Sequence, residues 1–249
     1  MSTEPAQLRQ PSRANRTALA APPARLAKQR LYAQFARIGK ALAAPARLEL
    51  LDLLGQGECS VDALAGAATL SVANASQHLQ ALAAARLVEA RRDGQRMVYR
   101  LADPSVEAMW LALRRTAERR LAELDEVARA YLTGRDDLEA VELPELRRRL
   151  RAGNVTLIDV RPQEEYAQGH LPGAISVPPA AVVAFARRAP RRKAIVAYCR
   201  GPYCVYALDA VVALRKRGLR ASRTEAGVME WRAAGLPLAR GAATIDGGL

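Results

Sequence analysis

Cysteine is scarce in this sequence: Cys59, Cys199 and Cys204 are the only three in 249 residues, and no Cys-x-x-Cys pair occurs. With no secretory segment at the start, so few thiols argue for a reducing cytoplasm rather than a disulfide scaffold. Histidine is scarcer still, with His78 and His170 alone. Too few N and S ligands are present to assemble a zinc site within one chain, so no metal and no cofactor are expected. No apolar run approaches the roughly 20 residues that a membrane-spanning helix needs, which excludes a membrane partner of that kind.

What the chain has in excess is positive charge. The net charge is +13 and the pI is near 10.5, so an anionic partner is expected. The excess is spread: +7 over residues 1–100, −3 over 101–140 and +9 over 141–249. Charge alone therefore does not establish DNA binding, and part of it reflects an Arg- and Ala-rich composition. The length accommodates two domains, each able to bury a core. Residues 1–26 mix Pro, Ala, Arg, Ser and Gln without periodicity and read as a disordered arm.

The stretch that organises the chain runs from Ala194 to Leu208. An apolar strand pattern ends on Cys199, the Gly201-Pro202 turn follows, and an apolar helical pattern begins near Cys204. Strand, short loop and helix put the Cys199 sulfur over a helix N-terminus, where unpaired N–H groups and the dipole favour thiolate over thiol. Arg200 adds positive charge beside it. A cysteine placed this way can accept a sulfur atom and hold it as a persulfide. The competing reading is a buried structural thiol that happens to end a strand.

Upstream, Leu31, Phe35, Ile38 and Leu42 fall at helical spacing, and Pro45 opens a second helix to Leu54, stopped by Gly55 and Gly57. Ser60 caps a short helix to Ala67 and Ser71 caps another to Leu82. Strands at Leu87–Arg91 and Met97–Leu101 flank an Asp93-Gly94 turn. Helix, helix, turn, helix and hairpin is the order of a winged helix-turn-helix. In the 71–82 helix Val72, Ala75, Leu79 and Leu82 supply an inward stripe. Ser71, Asn74, Ser76, Gln77, His78 and Gln80 are then the residues set to meet double-stranded operator DNA in the major groove, with His78 as a structural or backbone-contacting member. Arg91, Arg92, Gln95 and Arg96 at the hairpin suit flanking phosphates or the minor groove. The alternative is a small helical domain with a solvated polar face.

The segments Leu42–Leu51, Ser76-Gln77-His78-Leu79, Leu87-Val88, Arg92–Arg96 and Val98–Leu101 resemble the ArsR/SmtB family of repressors over roughly residues 28–103. The resemblance implies a homodimer on an inverted repeat, released by an inducer. Metal-sensing members carry a Cys-x-Cys-Asp pair where this chain has Cys59-Ser60-Val61-Asp62, with one thiol, and neither histidine lies in the last helix. Cys59 reads as a small core residue, with a redox role as the alternative. Pro104 starts a helix to about Leu132 whose stripe of Val106, Trp110, Leu113, Ala117, Leu121, Leu124 and Ala128 is too long for one small domain to cover. With the 28–42 helix it is expected to form the dimer interface; packing only on its own domain is the alternative. On this reading residues 27–133 are the DNA-binding and dimerisation domain and 134–142 a charged linker.

Residues 143–245 read as an α/β domain, a parallel sheet flanked by helices. Ile158-Asp159-Val160-Arg161, Glu165-Tyr166, Gly169–Ala174, the Cys199–Cys204 loop and Ala226–Pro237 together resemble the rhodanese family of sulfurtransferases. The resemblance implies Cys199 as the persulfide-forming residue of a six-residue loop, Cys199, Arg200, Gly201, Pro202, Tyr203 and Cys204. Many members place an arginine or another polar donor where this chain has Cys204; the thiol weakens the grip on an anionic donor and is a candidate resolving residue, able to attack a Cys199 persulfide or to close a disulfide or polysulfide bridge, since a separation of five does not fix the Cα distance. His170 reads as structural rather than as a base. Asp159 and Arg161 read either as a pair that fixes the loop or as surface charges.

The whole is then a multidomain protein: a mainly α winged helix followed by a rhodanese-like domain, cytoplasmic and homodimeric. The expected function is a DNA-binding regulator that senses or transfers reactive sulfur from a small donor, whether polysulfide, persulfide or thiosulfate. The alternatives are an active sulfurtransferase tethered to a DNA-binding module, and a catalytically silent partner-binding domain.

Overall fold

The computed structural model describes residues 23–131 and 140–241. Helix α1 (Pro23–Leu42) begins inside the stretch read as an arm, because Pro23 opens it at a position where proline costs nothing. Helix α2 (Pro45–Leu54) buries Leu50, Leu51, Leu53 and Leu54. Strand β1 (Cys59–Ser60), helix α3 (Val61–Ala67) and helix α4 (Val72–Ala84) follow. The Ser60 and Ser71 hydroxyls accept from the Ala63 and Asn74 amides, as their sequence positions predict. The wing, β2 (Val88–Asp93) and β3 (Arg96–Leu101), pairs Asp93 with Arg96 around Gly94-Gln95, and β1 adds to β3. Ala75, Leu79 and Leu82 of α4 are fully buried, and Leu79 and Leu82 pack in one core with α2 and the wing. Val72, expected on that stripe, is instead 46% exposed; it occupies the first helical turn, beyond the edge of the core.

The long helix of the sequence reading is two helices. Helix α5 (Pro104–Arg120) stops at Leu121, whose backbone is extended at φ −108° and ψ 98°, and α6 (Ala122–Tyr131) resumes. The expected linker is partly structured as well: β4 (Ala140–Val141) lies within it, while residues 132–139 fall outside the described residues.

The second domain is a five-stranded sheet in the order β4-β8-β7-β5-β6, with every pair parallel. Its elements are α7 (Leu143–Arg151), β5 (Val155–Asp159), α8 (Gln163–Gln168), β6 (Ile175–Ser176), α9 (Val182–Arg188), β7 (Ala194–Tyr198), α10 (Val205–Arg215), β8 (Ala221–Thr224) and α11 (Val228–Ala233). Alternation along the central strand β7 sends Ile195, Ala197 and Cys199 to one face, with α9 and α10, and Val196 and Tyr198 to the other, with Leu146, Val228 and Trp231. Both faces are covered, as a parallel sheet requires.

The two domains meet along a seam. Gly55, after α2, packs so closely on the buried Met229 that a Cβ there would lie 2.1 Å from its Sδ. Arg232 donates to the Gly55 carbonyl at 2.7 Å and is ion-paired with Glu107. Gln168 donates to the Glu58 carbonyl at 2.7 Å. Of the apolar stripe expected to need a partner helix, Val106 is buried in the first domain's own core, whereas Leu113 and Leu121 are 38% and 52% exposed.

Candidate functional site

The carboxyl ends of parallel strands are where open α/β sheets present ligand sites, and Cys199 follows the end of the central strand. Below it lies a buried polar brace. Asp159 and Arg161 are both fully buried and paired, Arg161 Nη2 at 2.6 Å and Nε at 3.0 Å from the carboxylate. Arg161 also donates to the Gly169 carbonyl at 2.7 Å. The Tyr198 hydroxyl donates to Asp159 at 2.5 Å and accepts from the Leu171 amide at 3.0 Å. Burial, then the Asp159 charge, push the Tyr198 phenol well above its ordinary pKa, so it stays a donor. The surface-charge alternative for Asp159 and Arg161 is excluded: these groups fix the residue immediately before Cys199. His170, read as structural, is buried, stacks on the Tyr166 ring at 3.7 Å and places Nδ1 2.9 Å from the Tyr166 carbonyl.

The loop answers a question the sequence leaves open, whether Cys199 and Cys204 bridge, and corrects one expectation, the free charge on Arg200. Cys199 and Cys204 form a disulfide, with Cα atoms 6.1 Å apart, so the thiols are not all free; Cys59 is the free one. The four residues between them bring the pair within the ordinary Cα range for a bridge. Arg200 does not offer a free charge to the sulfur. Its guanidinium is held by Glu165, with Nη2 at 2.6 Å, and lies 5.9 Å from the Tyr206 ring centroid. Cys204 is the N-cap of α10, without a side-chain cap bond. Gly227 lets α11 close on the loop, since a Cβ there would lie 2.7 Å from the Cys199 carbonyl oxygen. Cys59, the first residue of β1, packs against the first core and has its thiol pKa raised by burial.

The loop opens onto the domain seam. A cavity of about 630 Å³ lies between α2, α5 and α6 on one side and residues Arg200 to Tyr206 on the other. Asp52 faces it, accepting from Trp110 Nε1 at 2.8 Å, and burial pushes its carboxyl up to about 6. Arg114, beside it, is ion-paired with Glu230 and Glu118. The Tyr203 hydroxyl donates to Glu118 at 3.0 Å; burial, then that bond, push its pKa to about 12. Gln56, buried at 2% exposure, donates to the Arg200 carbonyl at 3.2 Å and accepts from Arg161 at 3.4 Å. Gln56 and Asp52 escaped the sequence reading, whereas Glu165 and Glu230 entered it only as members of the Glu165-Tyr166 and Ala226–Pro237 elements, with no partner assigned.

On the first domain, Asn74, Gln77 and Gln80 are exposed on α4, Ser76 and His78 are half-buried, and Ser71 is exposed at the cap. Gln80 reaches Ser76 at 3.5 Å. Arg91, Arg92, Gln95 and Arg96 are exposed on the wing. Arg91 is ion-paired with Glu58 and Asp93, and Arg92 donates to the Gly94 carbonyl, whereas Arg96 has no ion pair among the described residues. Among those residues no group of three or more His, Cys, Asp or Glu could hold a metal, and no helix is long and apolar enough to cross a membrane.

A winged helix with an outward polar helix, carrying a second domain whose Cys199–Cys204 loop faces it, defines a two-part DNA-binding regulator. Comparison with known proteins agrees. Residues 44–90 match the bacterial regulatory protein arsR family and residues 142–234 the rhodanese-like domain. The chain is 46% identical over 215 residues to the HTH-type transcriptional regulator Rv0324 of Mycobacterium tuberculosis, covering 86% of this chain and 94% of that one. A probable mercury resistance operon repressor of Streptomyces lividans is 37% identical over 90 residues, 36% of this chain and 72% of that one. The solution structure of the homodimeric winged helix-turn-helix domain of Mb0332 from Mycobacterium bovis is 43% identical, with a TM-score of 0.38, covering 42% of this chain and 95% of that one. The chain belongs to the ArsR family of transcriptional regulators and carries a rhodanese-like domain at its carboxyl end.

Proposed function

We propose that this regulator senses sulfane sulfur through the Cys199–Cys204 pair and acts as a homodimer on operator DNA. In the reduced protein the Cys199 thiolate attacks the outer sulfur of a persulfide RSSH, releasing RSH and leaving Cys199 as a persulfide. The Cys204 thiolate then attacks Cys199 Sγ, expelling hydrosulfide and closing the bridge. Two thiols and one RSSH become one disulfide, RSH and H₂S, so atoms and electrons balance. The observation that carries this reading is the bridge itself, set at a strand end and bonded through the Arg200 carbonyl to Gln56 of the DNA-binding domain. Dimerisation is supported by the apolar face of α1, where Leu31, Tyr32 and Phe35 are exposed.

The test is a gel-shift titration of wild type, Cys199→Ser and Cys204→Ser with and without polysulfide, with mass spectrometry of each. Wild type should form the bridge and change its DNA affinity, and Cys204→Ser should accumulate sulfur on Cys199. Cys199→Ser should do neither. A full response by Cys199→Ser would place the sensing site elsewhere. Sustained sulfur turnover by Cys204→Ser, without any change in DNA affinity, would favour the tethered sulfurtransferase.

A further inference from the structure

The closed bridge presents its two sulfurs unequally. Cys199 is 1% exposed within the sheet core, whereas Cys204 is half-buried and lines the seam cavity. A nucleophile entering the cavity therefore meets the Cys204 side. The cavity has the size of small-molecule sites, which run from roughly 300 to 1,000 Å³. Its walls are apolar and aromatic: Leu48, Leu53, Trp110 and Leu113 face Val205 and Tyr206.

Its charges are unfavourable to anions. Both guanidinium groups on the wall are occupied, Arg200 by Glu165 and Arg114 by Glu230 and Glu118. The carboxylates Glu49 and Asp52 also line it, each with its pKa raised mainly by burial. A sulfonate, sulfate or thiosulfate group would find no free cation there, and two acids. An uncharged ring or alkyl chain would bury its surface against the walls.

We propose that this cavity is a thiol-binding site that admits an organic thiol RSH with an uncharged apolar R and lets it open the Cys199–Cys204 bridge from the Cys204 side. The proposal rests on the reading that the bridge is a working state of the sensor. RS⁻ attacks Cys204 Sγ, the bond to Cys199 Sγ breaks, and Cys199 leaves as thiolate and takes a proton. A second RS⁻ attacks the R-bearing sulfur of the mixed disulfide, giving RSSR and the Cys204 thiol. The bridge is reduced and two thiols are oxidised.

The experiment uses the full-length protein in its bridged form. Benzyl mercaptan and 2-mercaptoethanesulfonate are compared at equal thiolate concentration, and free protein thiols are counted over time. Each rate is divided by that thiol's rate with oxidised glutathione, an exposed disulfide, which removes intrinsic reactivity. The uncharged thiol should open the bridge with an advantage of about tenfold or more, the effect expected from burying a ring. Leu113→Glu should erase that advantage, and Glu49→Lys should raise the rate with the sulfonate. Equal normalised rates, a faster sulfonate, or no opening by either thiol would overturn the proposal. Gel shifts on the same opened samples report separately on sensing: selective opening with unchanged DNA affinity would sink the proposed function and leave the thiol site standing.

Discussion

The side-chain amide of Gln56 donates to the carbonyl oxygen of Arg200, 144 residues further along the chain. Gln56 sits where α2 of the DNA-binding domain ends, and Arg200 follows the bridged Cys199, so one hydrogen bond joins the reactive loop to the helix that packs against α4. Among the described residues, no side chain other than Gln56 is bonded to both Arg200 and the buried Arg161.

Gln56→Leu should leave these partners without their bonds and lower stability by about 1–3 kcal/mol. It should also uncouple the domains, with the bridge still forming on polysulfide treatment while DNA affinity no longer follows it. Denaturant titration and gel shifts check both halves. An unchanged response of DNA affinity to the bridge would remove Gln56 from the path.

On the DNA side, Gln77→Ala should cost about 1–3 kcal/mol of binding and relax sequence preference, because its amide is exposed on the face set for base edges. Arg96→Ala should weaken all sequences alike and flatten the salt slope by about one ion. Arg91→Ala should matter less, since Glu58 and Asp93 already occupy its guanidinium. Fluorescence anisotropy at several salt concentrations separates the three. Wild-type behaviour of both Gln77→Ala and Arg96→Ala would refute these contacts.

Asp52 gives the seam a pH dependence of defined sign. Burial holds its native pKa at about 6 against an ordinary 3.8, outweighing the Trp110 bond and the Arg114 and Arg200 charges, while Glu230 pushes the same way as burial. Between those pH values the native state binds more protons than the unfolded state, so the stability contributed by this group falls as pH rises. Asp52→Asn keeps an acceptor for Trp110 and should flatten the stability profile from pH 4 to pH 6 relative to wild type. Identical slopes in urea melts across that window would show that Asp52 is not the group concerned.

Zinc, cadmium and arsenite at modest concentrations should not release the protein from DNA, because Cys59 stands where metal sensors hold two thiols. Tight stoichiometric binding by the reduced protein, followed by equilibrium dialysis, would contradict this.

The local elements were legible because their signals are local. Ser60 and Ser71 as caps, the period of α4, and the apolar strands ending at Asp159 and Tyr198 all state their roles within a few residues. The seam was not legible. Gln56, Glu107, Glu230 and Arg232 each look like a solvated side chain until the fold brings a partner from the other domain, 116 residues away for Arg114 and Glu230. The bend at Leu121 had no signal either, since Arg119, Arg120, Ala122 and Glu123 are good helix formers and no Gly or Pro is near. The bridge was open in the sequence because a separation of five fixes no Cα distance. The charge on Arg200 was misjudged because Glu165 lies 35 residues away.

The bare backbone at Gly55 has an implication for how such proteins can be assembled by gene fusion. A winged helix taken from a stand-alone relative, and bearing any side chain at that turn, would strike Met229, which is itself fully enclosed and has nowhere to retreat. A second glycine of the same turn, Gly57, has φ +152°, and a Cβ there would lie 2.3 Å from Gln168 Oε1, so two tolerances would have to be met at once. The halves of this chain are thus matched parts rather than exchangeable modules, and a swap of either one calls for rebuilding the heel of α2 together with the start of α11.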